Sequence, residues 1–197
     1  MDSRYIPIIL VFVVALIYFL VPESFSHLDD MLIPENPVQS RATIRQPWKV
    51  GQYGFKSLAH LELDARVLST KYYDHGREAE LSDRDFALGW GPMSSDSVLD
   101  TLTISQSGRT FTYRYTVAPP ISASAMVRHS SNFHLIPGDE QIRFQILRIR
   151  PDDLIHLEGQ LVKVTAPDGW RWKSSTTRRD SGDGACEVMW VERLERR

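Results

Sequence analysis

Cysteine is almost absent from this sequence. Cys186 is the single cysteine in 197 residues, which excludes an internal disulfide. An isolated cysteine is a buried thiol, one half of an intermolecular bridge or a reactive group. A small core residue is the commonest of these roles. Disulfide-stapled small domains are therefore excluded as a class.

An excess of charge of either sign is also missing. The formal net charge is -2, with 24% of the residues charged. Proteins dedicated to nucleic-acid binding normally present a basic face. No nucleic-acid partner is therefore expected.

Known catalytic signatures are missing as well. The sequence contains no G-x-S-x-G elbow, no P-loop and no H-E-x-x-H pair, and it has no internal repeat. Each of these motifs places groups that a specific chemistry requires. No cofactor and no metal site is predicted, and the sequence alone does not decide whether the chain is an enzyme.

The most prominent feature that is present is an uncharged apolar run over residues 5–21. As a helix rising about 1.5 Å per residue, it approaches the ~30 Å hydrocarbon core of a bilayer. A cleavable signal peptide is the alternative, since its apolar core is usually ~7–15 residues long and Ser24-Phe25-Ser26 fits a small-x-small site. Bulky side chains continue to the end of the run, which favours a retained transmembrane anchor over residues 1–22.

The flanking charges predict the orientation of this anchor. Arg4 precedes the run. Residues 22–40, which follow it, contain four acidic residues and no Lys or Arg. The positive-inside rule leaves such an N-terminus in the cytoplasm. We therefore expect a single-pass protein of the inner (plasma) membrane with an extracytoplasmic C-terminal domain. The lipid bilayer is its partner through residues 5–21, and another membrane or envelope protein is a further candidate partner.

Hydrophobic periodicity organises the rest of the chain. Prolines interrupt residues 23–47, which are predicted to be a tether, and the domain proper covers residues 48–197. Alternating apolar and polar residues predict strands over 58–73 and 111–117, and an apolar run predicts another over 154–165. Pro167-Asp168-Gly169 predicts a hairpin turn, followed by strands over 170–176 and 186–194. No strand is assigned between residues 121 and 137.

The segment from Gly138 to Arg150 fits two patterns. Ile142, Phe144 and Ile146 alternate as in a strand, but Ile142, Ile146 and Ile149 form a helical stripe. Acidic residues at its start, basic residues at its end and Pro151 beyond it match the helix dipole and the stop signals of a helix. We predict a helix.

The expected fold class is mainly β (α+β), with the transmembrane helix followed by an OB-like, partly open β-barrel carrying one or two helices. A helix before a terminal hairpin is typical of five-stranded Greek-key barrels of the OB type. The stretch from Leu154 to Val164 resembles the fourth strand of such a barrel. The whole chain also resembles single-span, membrane-anchored bacterial proteins of unknown function, which implies membrane attachment and no mechanism.

Two polar segments are candidate sites. His129, Asn132 and His134 are suited to a metal ligand pair, a general base or an anion site, although the same side chains often only cap turns. Arg178, Asp180 and Glu187 belong to a glycine-containing block that suits a phosphate, a carboxylate or a sugar, or is an ordinary surface loop. We expect a ligand site where the two segments meet.

Aromatic residues supply a third candidate. Trp90 lies between two glycines, and it joins a set of rings that would stack on sugars or bases if exposed, or fill the core if buried. The set comprises Trp90, Trp170, Trp172, Trp190, Tyr113 and Tyr115. Trp170 and Trp172 are predicted to share one face of a strand.

The functional prediction is a membrane-anchored extracytoplasmic binding or assembly module of unknown ligand. The alternative is a metal-dependent or His/Asp-based hydrolase at the membrane surface. Its candidate residues are His129, His134, Asp180 and Glu187.

Overall fold

A computed structural model describes residues 24, 25, 27–44, 46–177 and 186–197. As predicted, the fold is mainly β with a few helices. The strands are β1 (Val38–Ser40), β2 (Trp48–Val50), β3 (Tyr53–Tyr72), β4 (Arg84–Gly89), β5 (Thr103–Ser107), β6 (Thr110–Arg114), β7 (Ser130–Pro137), β8 (Leu154–Thr165), β9 (Arg171–Lys173) and β10 (Glu187–Arg196). The α-helices are α1 (Asp96–Leu99), α2 (Ala123–Arg128) and α3 (Glu140–Arg148), and 3-10 helices cover Arg77–Glu80 and Gly91–Ser94.

Five strands pair in a closed circuit. Antiparallel pairs join β3 to β4, β4 to β7, β10 to β8, and β8 back to β3, and the one parallel pair of the circuit joins β7 to β10. Strand β3 closes the circuit because its first part pairs with β8 and its last part with β4. A register shift between Val67 and Ser69 lies next to this change of partner, and another, between Ser57 and Ala59, lies within the pairing with β8. Such irregularities bend and twist a strand, which lets one long strand serve two neighbours.

The main core lies inside this circuit. Leu61, Leu63, Ala65 and Val67 on β3 are buried, as the period of two predicts. The other strands contribute alternate apolar residues to the same cluster. These are Phe86 and Leu88, Phe133 and Leu135, Ile155, Leu157 and Leu161, and Met189, Val191 and Leu194.

Helix α3 confirms the helical interpretation of residues 138–150. Asp139 caps the helix, since its carboxylate accepts a hydrogen bond of 2.8 Å from the Ile142 backbone N–H. Ile142 and Ile146 are buried, whereas Phe144 is 64% exposed. A strand would have placed all three on one face, so the exposure of Phe144 is the signature of the helical period.

Strand β7 was missed by the sequence analysis. Its buried apolar residues, Phe133 and Leu135, alternate with the polar Asn132 and His134, which are also buried. In a half-buried strand, polar residues at alternate positions would face solvent. Asn132 and His134 are instead buried on the second face of the strand. The pairing of β7 with β4 and β10 overrides this weak local signal.

The predicted anchor, residues 5–21, lies outside the described residues. Among the residues that the structure does describe, no helix is long and apolar enough to cross a membrane. Residues of the predicted tether, 23–47, contact the domain: β1 pairs with β3, and Leu28 and Ile33 are buried. Leu28 joins a second apolar cluster with Met93, Val98 and Met126.

Candidate functional site

A polar face lies on the outer side of strands β4 and β7. Asp85 on β4 is directly opposite His134 on β7, and Ala87 is opposite Asn132. Their neighbours in sequence, Phe86 and Phe133, point into the core. Because side chains alternate along a strand, Asp85, Asn132 and His134 share the opposite face. All three are nonetheless buried.

The hairpin formed by β5 and β6 packs over this face. Gly108 and Arg109 at its tip both adopt positive φ angles, 58° and 66°, which is the geometry of a type I′ turn. A positive φ is uncommon for a residue other than glycine. The turn directs the Arg109 side chain onto the polar face.

Arg109 neutralises the buried carboxylate of Asp85. Its Nη1 atom donates 2.9 Å hydrogen bonds to Asp85 Oδ1 and to the Ser82 carbonyl. The Asp85 side chain is fully buried and the Arg109 side chain is 18% exposed. An unpaired charge at such a depth is strongly disfavoured, so the two residues depend on each other.

His134 lies against the same carboxylate. Its Nδ1 atom is 3.0 Å from Asp85 Oδ1, close enough for an ion pair, but the directional geometry of a hydrogen bond is not met. The ring also lies against the Trp172 indole, with centroids 4.9 Å apart. His134 thus links the buried carboxylate to the aromatic residues outside it.

Further hydrogen bonds hold the hairpin tip in place. Asn132 Nδ2 donates to the Arg109 carbonyl at 3.1 Å, and Gln106 Nε2 donates to Asn132 Oδ1 at 2.8 Å. The Arg109 backbone N–H donates to the Tyr73 hydroxyl at 3.1 Å. Burial raises the pKa of Tyr73, so this hydroxyl stays protonated at neutral pH.

A row of rings extends from His134 to the edge of the sheet. Trp172 is 6.2 Å from Trp170, and Trp170 is 5.8 Å from Tyr53, between ring centroids. Trp170 and Trp172 are half-buried, whereas Tyr53 and His134 are buried. We call Tyr53, Trp170, Trp172 and His134 the ring row.

Two arginines flank the ring row. The Arg77 guanidinium lies 5.2 Å from the Trp170 centroid and 5.8 Å from that of Tyr53. At the other end, the Arg109 guanidinium lies 5.9 Å from Trp172. All three distances are typical of cation–π contacts.

A salt bridge joins the two loops on either side of the row. Arg77 Nη1 donates to Asp168 Oδ2 at 2.5 Å, and the Trp170 N–H donates to Asp168 Oδ1 at 3.1 Å. These bonds lower the pKa of Asp168, the bond from Arg77 having the larger effect. The contact connects the loop after β3 with the turn after β8 and positions Trp170.

The structure brings some of the predicted site residues together and separates others. Asn132 and His134 meet at Asp85, and Ser131 Oγ donates a hydrogen bond to the buried Glu187. The two predicted segments therefore adjoin at these residues. Arg178 and Asp180 lie outside the described residues.

His129 and Trp90 lie elsewhere in the fold. His129 Nδ1 is 2.8 Å from the Ala125 carbonyl, and its ring packs edge-on against Phe25. Strand spacing of ~3.3 Å per residue puts roughly 15 Å of backbone between His129 and His134. Trp90 is buried in the main core.

Sequence reasoning missed Asp85 and Arg109. Asp85 has a weak signal, because it directly precedes the apolar run from Phe86 to Leu88. Arg109 has none beyond following Gly108. Its role depends on where the hairpin packs.

The described residues contain no group of three or more His, Cys, Asp or Glu side chains that could hold a metal ion.

Comparison of the chain with protein-family models, curated proteins and solved structures finds no match. The function must therefore be argued from the geometry.

Proposed function

We propose that this chain is a membrane-anchored extracytoplasmic binding module whose β domain is an OB-like, partly open barrel. The support for the barrel is the closed circuit of five strands, in which α3 lies between the third and fourth strands in chain order. OB folds bind ligands on the face of their second and third strands and at the adjacent loops. The corresponding strands here are β4 and β7.

The observation that carries the proposal is the ring row with its two arginines. It lies beside β4 and β7, and it is bordered by the loop after β3 and the turn after β8. Indole faces stack on the apolar faces of sugar rings, and guanidinium groups donate paired hydrogen bonds to hydroxyl or anionic groups. The ligand class that fits is a ring-bearing, polyhydroxylated molecule such as an oligosaccharide.

Membrane attachment is the second part of the proposal. Residues 5–21 would span the inner (plasma) membrane once, with the N-terminus in the cytoplasm and the β domain outside. A saccharide or another envelope component would then lie within reach of the domain. Assembly with an envelope protein is the related role for the same surface.

A titration tests the binding proposal. The full-length chain in detergent is titrated with the tetramer of N-acetylglucosamine while tryptophan fluorescence is followed. Trp172→Ala should weaken binding at least about fivefold, since one stacked ring contributes about 1–3 kcal/mol. Tyr115→Ala, at a ring that is 47% exposed outside the ring row, is the matched control and should bind as wild type.

The outcomes separate binding from a structural role for the rings. A saturable signal that Trp172→Ala weakens without lowering the melting temperature supports the proposal. Absence of any saturable signal, or equal binding by Trp172→Ala, would contradict it. A parallel titration with oligothymidylate checks the expectation that nucleic acid is not the ligand.

The hydrolase alternative combines His129, His134, Asp180 and Glu187. Of the three described members, His134 contacts Asp85, Glu187 contacts Ser131, and His129 contacts Ala125. No contact joins these three to one another within the described part of the chain. Nothing in this geometry favours turnover over binding.

A further inference from the structure

A groove lies on a different part of the domain from the ring row. It has a volume of about 580 Å³ and is formed by the last turns of α3 and the end of β10. Small-molecule sites typically have volumes of about 300–1,000 Å³. Its lining residues are Gln145, Arg148, Ile149, Arg150, Leu194 and Arg196.

The groove has an apolar floor and a basic rim. Ile149 and Leu194 are buried members of the main core, and they form the floor. Arg196 follows Leu194 by two positions on β10, so it continues the same face past the edge of the core. Arg148 and Arg150 flank Ile149 in the chain and remain exposed.

The charges of the rim are only partly compensated. Arg196 Nε is 3.1 Å from Asp153, and Arg150 Nη1 donates to the carbonyls of Leu147 and Ile149 at 2.9 and 3.1 Å. Within the described part of the chain, Arg148 makes no ion pair or side-chain hydrogen bond. Phe144, one helical turn before Arg148, is exposed beside it.

Contacts connect the groove to the first residues of the domain. Asp153 borders Arg196, and the adjacent Asp152 accepts a 2.8 Å hydrogen bond from Arg66. Arg66 also donates to the Ser94 carbonyl at 3.2 Å, and Ser94 Oγ accepts from the Ile33 N–H at 3.0 Å. A chain of contacts therefore runs from the groove to Ile33, in the segment that precedes β1.

We infer that this groove binds the phosphate of an anionic lipid headgroup, with Arg148 as its principal guanidinium and Phe144 at the interface. The inference rests on the membrane attachment proposed above. Guanidinium groups match phosphate oxygens in paired hydrogen bonds. A ring beside them suits the boundary between headgroups and acyl chains. Basic residues next to a membrane are attracted to anionic lipids.

The test uses the full-length chain in dodecyl maltoside and three probes. These are dihexanoylphosphatidylglycerol, dihexanoylphosphatidylcholine and inorganic phosphate, each titrated by calorimetry. We expect phosphatidylglycerol to bind at least fivefold more tightly than phosphatidylcholine. Arg148→Gln should weaken phosphatidylglycerol binding about fivefold, and Arg148→Glu should weaken it more.

Two further variants make the result specific. Arg171→Gln, at an exposed arginine on β9, is the matched control and should leave lipid binding unchanged. Phe144→Ser should weaken binding of the lipid but not of inorganic phosphate. Because Arg148 and Phe144 are exposed, the melting temperature without lipid should stay the same for each variant.

Each outcome bears on the inference. Lipid binding without a response to inorganic phosphate identifies the headgroup as the ligand, and equal binding of both identifies the phosphate group alone. Equal affinity for the two lipids, no binding, or unchanged binding by Arg148→Gln would overturn the inference. The lipid titration does not involve Trp172 or a saccharide, and it does not depend on membrane orientation. A failure of the lipid inference is therefore distinguishable from a failure of the proposed function.

Discussion

At the scale of single residues, Asp85 is a carboxylate with no solvent exposure. A fully buried carboxylate requires a partner, and the partner comes from a hairpin tip whose arginine adopts a positive φ of 66°. The backbone strain at Arg109 is compensated by the ion pair, by the hydrogen bond that its N–H donates to Tyr73 and by the one that its carbonyl accepts from Asn132. The ion pair therefore fastens the hairpin to the sheet.

Removing this arginine is expected to destabilise the protein. Arg109→Ala should lower the free energy of unfolding by about 3–5 kcal/mol, because it leaves the buried Asp85 uncompensated. Chemical denaturation followed by circular dichroism measures the change. Arg114→Ala, at an exposed arginine on the same hairpin, is the control and should change stability by less than about 0.5 kcal/mol.

The double variant Asp85→Asn, Arg109→Ala separates charge from packing. Removing both charges should recover part of the stability lost in Arg109→Ala, since no ion is then left unpaired. A double variant that is as unstable as the sum of the two single variants would show that the ion pair is not what Arg109 contributes.

At the scale of elements, the loop after β3 and the turn after β8 are joined by Arg77 and Asp168. Both flank the ring row, so this contact holds the two borders of the candidate site together. The pKa of Asp168 is lowered in the folded state. Its contribution to stability is therefore present above the unfolded pKa of about 3.9 and is lost as pH falls through the folded value.

This linkage predicts a pH dependence. Wild type should be more stable than Asp168→Asn at pH 6, and the difference in melting temperature should shrink as the pH falls below the unfolded pKa of about 3.9 and through the lower folded pKa of Asp168. Asp30 adds a pH-dependent stabilisation of the same sign to wild type and to Asp168→Asn. Its pKa is lowered by hydrogen bonds, and the bond from the Ser95 hydroxyl has the largest effect. Thermal unfolding between pH 6 and pH 2 measures both effects.

The control for this prediction is Asp100→Asn. Asp100 is exposed, and its side chain makes no hydrogen bond or ion pair within the described residues. Its variant should follow the wild-type curve at every pH. A constant difference between wild type and Asp168→Asn down to pH 2 would mean that the carboxylate charge of Asp168 does not stabilise the fold.

At the scale of the whole molecule, the proposed membrane span at residues 5–21 is followed by a short segment that packs against the β domain. Leu28 and Ile33 are buried, and Asp30 accepts hydrogen bonds from Ser95 and Ser97. A domain held this closely to an anchor would keep one end towards the bilayer. Contacts through Asp153, Asp152, Arg66 and Ser94 link the basic groove to Ile33 in this N-terminal segment.

Reporter fusions test the membrane topology. An alkaline phosphatase fused to the C-terminus should be active, because that enzyme requires export, and a cytoplasmic β-galactosidase fusion should be inactive. The protein should also stay in the membrane fraction at its full length. Active β-galactosidase, or release of a shortened soluble form, would contradict the topology.

Local physics made a large part of this fold predictable. The period of two predicts a strand over residues 58–73, and most of these residues belong to the longer β3. The apolar run and Asp-Gly turn predict β8 and its hairpin. Caps and terminal charges distinguish α3 from a strand, because the groups involved lie within a few positions of one another. Each of these signals depends on near neighbours in the chain, so one sequence is enough to show it.

Only the tertiary structure decided the candidate site and the strand that carries it. Strand β7 forms because β4 and β10 pair with it on both sides, and the β5–β6 hairpin satisfies the buried amide of Asn132. Asp85 meets Arg109 and His134 across 24 and 49 positions of the chain, respectively (109 − 85 and 134 − 85). A long-range contact leaves no periodic trace in one sequence, because burial and strand pairing select it only once the chain has closed on itself.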